Sequence, residues 1–176
     1  MTKSESPPPS PSPSPQPLLH YYRKTTPSHT LETTLENIVS TILNIQTESC
    51  FNIATSTPLT STQLTHLEWL LSETFAPTDL RSSSPHLSPP DERDTNNYLF
   101  EFGPRMTFTS AFSSNAVSIC KSCQLECVTR LELSRRYLIT VVCPFTDEEL
   151  QMVKEALHDR MTEEEYLIPL RSFESG

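Results

Sequence analysis

The side chains able to do chemistry in this sequence are four arginines, Arg105, Arg130, Arg135 and Arg136, and five cysteines, Cys50, Cys120, Cys123, Cys127 and Cys143. Guanidinium groups supply a planar fork of donors for carboxylates and other oxyanions, and they are costly to bury without such a partner. The spacing Cys120-x2-Cys123-x3-Cys127 resembles half of a zinc site, for which Cys143 or His158 is the available fourth ligand. The histidines His20, His29, His66, His86 and His158 are scattered, with no His-x3-His pair. The whole chain has only 2 glycines, Gly103 and Gly176. Without a glycine-rich loop no Walker A or dinucleotide fingerprint can form, and no Gly-x-Ser-x-Gly elbow is present.

Which of these groups meet depends on the elements that carry them. Tyr98-Leu99-Phe100-Glu101-Phe102 predicts a buried strand, interrupted at Gly103-Pro104 where the backbone turns or another group comes close. Ala116, Val117, Ile119, Cys120 and Cys123 are spaced for one face of a short helix. On such a face cysteine packs as a small hydrophobe, so core packing is favoured over metal. Val128 to Val142 predicts a long strand with Leu131, Leu133, Tyr137, Ile139 and Val141 on one parity. Arg135 shares that parity. It is expected to pair with a carboxylate, Glu101 first, or to be turned outward by a bulge between Leu133 and Tyr137.

Ahead of this stretch, residues 1 to 17 hold seven prolines and five serines and predict a disordered, polyproline-like tail, a solvated spacer or a ligand for an adaptor domain. The segment has neither a signal-peptide core nor the arginines of an organelle-targeting helix, so a cytoplasmic location is expected, with plastid or mitochondrion as the alternative. Leu18 to Arg23 predicts a first strand. Thr30 is read as the N-cap of a helix with Leu31, Leu35, Ile38, Val39, Ile42 and Ile45 on its apolar face. Cys50 to Ile53 predicts a second, short strand. Thr60 and Gln63 form a capping-box pattern before Leu64, Leu67, Leu70 and Leu71, with Trp69 near the apolar edge. Residues 77–96, with four prolines, predict a long polar loop or an insertion. Thr146 and Glu149 open a last helix carrying Leu150, Val153 and Leu157, and Met161 to Gly176 is read as the start of a linker. The domain is therefore expected to span 18–160, as tandem strand–helix–strand–helix units with a sheet packed against helices, an α+β fold.

The net charge of −9 argues against a nucleic-acid partner, and no apolar run is long enough to span a membrane. Charge is uneven: residues 97 to 142 sum to +2 and residues 146 to 165 to −6, the latter read as a solvated helix face.

Several longer motifs carry a family resemblance. Phe102-Gly103-Pro104-Arg105, Ser114 to Cys120, Val128-Thr129-Arg130, Ser134-Arg135-Arg136-Tyr137, His158 to Glu163 and Pro169 to Phe173 resemble the N-terminal domain of phosphoribosylformylglycinamidine synthases. Leu19 to Arg23, Thr47 to Ile53 and Leu67 to Phe75 fit the same family in the same order. The resemblance implies a pseudo-dimer similar to two copies of the small PurS subunit. It also implies a complete enzyme that makes an amidine from phosphoribosylformylglycinamide, using ATP with Mg and ammonia from glutamine. Synthetase and glutaminase domains are then the partners, in cis or in trans, and their motifs are not in this chain. The chain is expected to be a non-catalytic scaffold with no cofactor of its own, or alternatively a stand-alone module that docks on a synthase. Arg105, Asn115, Arg130, Arg135, Arg136, His158, Asp159 and Arg160 are the expected interdomain contacts.

Overall fold

A computed structural model describes residues 16–72, 79–91 and 93–174. Residues 1–15 of the expected tail and parts of the expected 77–96 loop lie outside them. The element order is β1 (Leu19–Thr25), α1 (His29–Ile38), β2 (Ile42–Thr55), α2 (Ser61–Leu71), β3 (Leu80–Ser82), then β4 (Asn97–Pro104), α3 (Ala111–Ser122), β5 (Val128–Val141), α4 (Asp147–Leu157) and β6 (Glu163–Glu165). The strands form one sheet in the order β3-β1-β2-β5-β4-β6, with every neighbouring pair antiparallel. The α+β class and the tandem repeat are both present, and each repeat gains a short edge strand.

The repeat is close in register. Laying β2 on β5, both 14 residues long, places Ile42 on Val128 and Ser49 on Arg135. The same shift places the N-cap Thr60 on Thr146, and both caps form complete capping boxes, with Gln63 and with Glu149. Ser49 and Arg135 are also direct partners across the β2/β5 ladder, so the pseudo-two-fold axis passes between them. The helices cover one face of the sheet. One core cluster joins Leu35, Val39, Phe100, Ile139, Val153 and Leu157, and the other joins Phe51, Ile53, Leu67, Cys120, Leu125 and Leu131.

Four expectations are corrected. The first helix is capped by Ser28, not Thr30, and ends at Ile38. Ile42 and Ile45 belong to β2, which is a long strand rather than the short one at Cys50–Ile53. Their spacing fits a helical face, but β-branched residues also suit a pleated, half-buried surface, and here the ladder to β5 wins. The 77–96 segment contributes strand β3 and the buried Leu87. The segment from Met161, read as a linker, instead pairs β6 with β4 and buries Tyr166 and Leu170.

Gly103 does not interrupt its strand. The backbone stays extended through Pro104, and the aromatic ring of Tyr166 occupies the space beside it. A Cβ at Gly103 would fall 2.5 Å from ring carbons of Tyr166, whose hydroxyl donates to the Pro104 carbonyl at 2.5 Å. Close approach, rather than a turn, is the reason for glycine there.

Candidate functional site

On the face of the sheet away from the helices, strand alternation aligns polar side chains that the 83–91 loop and the 166–174 arm then cover. Glu48, Arg136 and Glu101 sit side by side on β2, β5 and β4. Arg136, 1% exposed, donates through Nη1 to Glu48 Oε1, while its Nε lies 3.3 Å from Glu101 Oε2 without hydrogen-bond alignment. The other Glu48 oxygen accepts the backbone N–H groups of His86, at 2.7 Å, and Leu87, at 3.2 Å, and the Arg136 guanidinium lies over the Tyr22 ring. Each charge is thus matched, as burial requires. Burial still pushes the Glu101 carboxyl up, against the opposing pull of the Ser134 hydroxyl and Arg136.

The network continues outward. Ser134 donates to Glu101 Oε1 at 2.6 Å, the Asn52 amide donates to Ser134 at 2.8 Å, and His20 Nδ1 pairs with Asn52 Oδ1 at 2.9 Å. Burial lowers the His20 pKa from 6.5, which favours the neutral ring. Cys50 Sγ is 4.0 Å from His20 Nδ1. A cysteine beside a histidine and an asparagine superficially matches a nucleophile–base–orienter set. The geometry does not, because Cys50 is 1% exposed and His20 Nδ1 is committed to Asn52. Burial, the largest influence, pushes the Cys50 thiol well up, which keeps it protonated and unreactive.

The expected contact residues do not all come together. Arg105, Arg135, His158, Asp159 and Arg160 converge on the turn between α4 and β6. Arg105 donates its backbone N–H to the Thr162 carbonyl at 3.0 Å and Nη2 to the Arg160 carbonyl at 2.5 Å. Asp159 accepts from the Met161 N–H and the Thr162 hydroxyl, and these bonds hold its pKa low. His158 stacks on Phe102, centroids 4.3 Å apart, and its Nδ1 donates to the Lys154 carbonyl. Arg160 is exposed and paired with Glu155.

Arg135 is half exposed and bonded through Nη2 to both oxygens of Glu163 at 2.6 Å. It has the carboxylate it was expected to need, but Glu163 rather than Glu101, and the β5 register has no bulge there. Arg130 lies apart. It bonds Glu132 and the Phe108 carbonyl and stacks over Phe173 at 4.5 Å, tying the 166–174 arm to the start of α3. Asn115 is exposed on α3. Arg136 corrects the expectation outright: it is internal, and no surface contact can use it.

Sequence reasoning assigned the inward charge to Arg135 because of its apolar parity, and missed that the opposite face of the strand is buried too. Glu132, Ser134 and Arg136 alternate on that face and are all buried, but in sequence a polar row of that kind reads as solvent-facing. Of the spaced cysteines, Cys120 is buried against the core, whereas Cys123 caps α3 and is half exposed, not on the apolar face. Among the described residues no group of His, Cys, Asp or Glu is arranged to hold a metal ion, and no helix is long and apolar enough to cross a membrane.

A family model described as formylglycinamide ribonucleotide amidotransferase N-terminal matches residues 48–168. A phosphoribosylformylglycinamidine synthase of Dictyostelium discoideum is 42% identical over 137 residues, 77% of this chain and 10% of the relative. The probable phosphoribosylformylglycinamidine synthase, chloroplastic/mitochondrial, of Arabidopsis thaliana is 37% identical over 164 residues, 90% of this chain and 12% of the relative. The Homo sapiens phosphoribosylformylglycinamidine synthase is 33% identical over 165 residues, 89% and 12%. The chain spans between 10% and 12% of the length of these relatives.

Proposed function

Because this chain belongs to the formylglycinamide ribonucleotide amidotransferase N-terminal family, we propose that it is the scaffold module of a phosphoribosylformylglycinamidine synthase in purine biosynthesis. It holds synthetase and glutaminase regions in register for ammonia transfer and performs no chemistry itself. The observation that carries this reading is the buried ion cluster. Arg136 of the second repeat is locked to Glu48 of the first, and Glu48 in turn anchors the 86–87 backbone. The charges that lie inside are used to make both repeats one rigid body, which is what a positioning domain requires. ATP and Mg are assigned by the same reading to the synthetase region, since Gly103 is packed against Tyr166 and cradles no phosphate. Its compartment under this reading is the cytoplasm or, as the name of the Arabidopsis relative prints, a plastid or mitochondrion.

The docking surface assigned to it is the α4–β6 turn with Arg105 and Arg160, which project charge from a backbone fixed by Asp159. The test is complementation. A synthase lacking its N-terminal domain, mixed with this chain, is expected to regain glutamine-dependent amidine formation, and Arg160→Glu is expected to weaken the rescue. Glutaminase turnover by the purified chain alone, abolished by Cys50→Ser, would overturn the reading.

A further inference from the structure

In the buried ion cluster two carboxyl groups, Glu48 and Glu101, face the single guanidinium of Arg136, and all three side chains are at most 2% exposed. The two carboxyl groups are not equally served. Glu48 accepts from Arg136 Nη1 and from the backbone N–H groups of His86 and Leu87, three donors around one negative charge. Glu101 has the Ser134 hydroxyl at 2.6 Å on Oε1, while the Arg136 Nε beside Oε2 is not aligned to donate. Ser134 accepts the Asn52 amide at 2.8 Å and lies 3.3 Å from the Cys50 carbonyl, so its single proton has two acceptors within reach. The other titratable groups facing Glu101 are Cys50 on β2, Tyr22 on β1 and Tyr166 of the arm, and none of them is a cation. Around them, the His86 ring of the 83–91 loop turns to the Asp79 carbonyl, Glu164 on β6 accepts the Met106 N–H, and Glu132 on β5 is bonded to Ser110 and Arg130.

We propose that Glu101 is a neutral carboxylic acid whose proton latches the 166–174 arm: Glu101 donates to Ser134, Ser134 donates on to the Cys50 carbonyl, and loss of the proton loosens the arm. Either oxygen of the 2.6 Å contact can hold its proton. With the proton on Glu101, both hydroxyls have an acceptor, Asn52 still donates to Ser134, and Arg136 with Glu48 closes as one cation on one anion. The ionised alternative sets a second negative charge near Glu48 with one hydroxyl and one misaligned N–H to hold it, which is unfavourable at this depth. Burial, the largest influence, pushes the Glu101 carboxyl up from 4.5, in the same direction. The arm is the element placed to respond. Tyr166 donates its N–H to the Glu101 carbonyl at 2.8 Å, and the Leu170 backbone is bonded to His20. When the proton leaves to water, the new charge is relieved by admitting solvent beneath the arm. Because the folded pKa is raised, the contribution of the latch is full below 4.5 and is lost as pH rises through the folded value, the opposite sense to that of His20. The latch is independent of the scaffold reading.

The experiment is a carbon-detected NMR pH titration of the side-chain carboxyl groups in the full chain, each glutamate assigned through bonds to its own backbone. The Glu101 carboxyl carbon is expected to hold its protonated shift where exposed glutamates are already ionised, and to change over at higher pH than they do. Across that change, hydrogen exchange of the Tyr166 amide should accelerate relative to that of Ile139 in the core. Glu101→Gln, an uncharged mimic of the acid, should keep a urea midpoint near that of wild type at acidic pH and abolish the extra acceleration. Glu48→Gln, which removes the anion paired with Arg136, should lower the midpoint markedly. A Glu101 carbon that titrates together with the exposed glutamates overturns the neutral acid, and this readout needs no variant to fold. So does a loss of stability in Glu101→Gln as large as that in Glu48→Gln. Exchange at Tyr166 that follows Ile139 throughout overturns the latch. None of these failures touches the complementation experiment.

Discussion

Gly103 is a single atom of room that Tyr166 requires. Replacing it with alanine forces a methyl group to within 2.5 Å of a buried ring that is also hydrogen-bonded to Pro104. The variant is expected to lose about 1–3 kcal/mol in urea unfolding, the usual range for overpacking. A Tyr166→Ala partner should recover part of that loss, and strictly additive costs for the two changes would argue against the contact. His20 gives a pH signature. Burial holds its folded pKa below 6.5, so the unfolded chain binds a proton first as pH falls. The contribution is present above 6.5 and is lost as pH drops through that value toward the folded pKa. Wild type should therefore lose stability more steeply than His20→Gln between about pH 7 and pH 5, measured by urea midpoints. Parallel curves would exclude His20 as the source.

At the level of elements, the local signals were legible wherever they were chemical rather than periodic. Thr60 with Gln63 and Thr146 with Glu149 are capping boxes in the structure as in the sequence, because the reciprocal bonds need only residues three apart. Thr60→Ala and Thr146→Ala should each cost about 1 kcal/mol in chemical denaturation. Equivalent positions in a repeat should suffer comparably, and a negligible cost at both would remove the caps from the account. The β2 start was not legible, since Ile38, Val39, Ile42 and Ile45 satisfy a 3.6-residue period while the pairing that makes Ile42 and Ile45 strand residues comes from β5, far along the chain. The candidate site suffered the same limit. The sequence pairs Arg135 with Glu101 first or turns it outward at a bulge, whereas its partner Glu163 sits on an edge strand whose three glutamates carry no strand signal. Arg136 was read as a surface group because nothing local reveals that the 83–91 loop and the 166–174 arm cover the second face of the sheet.

Over the whole molecule, β2 and β5 form the central ladder, and Arg136 joins the repeats across it. Arg136→Met leaves Glu48 and Glu101 buried without their cation and is expected to cost about 3–5 kcal/mol. Because the two halves share that ladder, the loss should move one cooperative unfolding transition seen by far-UV circular dichroism and by hydrogen exchange of both repeats alike. Two resolved transitions would contradict the shared core. The axis between Ser49 and Arg135 has a further consequence. In an assembly of two identical chains, a residue on the axis faces its own copy, so an arginine there would meet an arginine, and like charges would push the ladder apart. Two repeats within one polypeptide are free to differ there. One has a small hydroxyl, Ser49, and the other a cation, Arg135. The step next to it differs in the same way, with Cys50 in one repeat where the other has Arg136, so a single buried cation serves the middle of the sheet where strict symmetry would force in two.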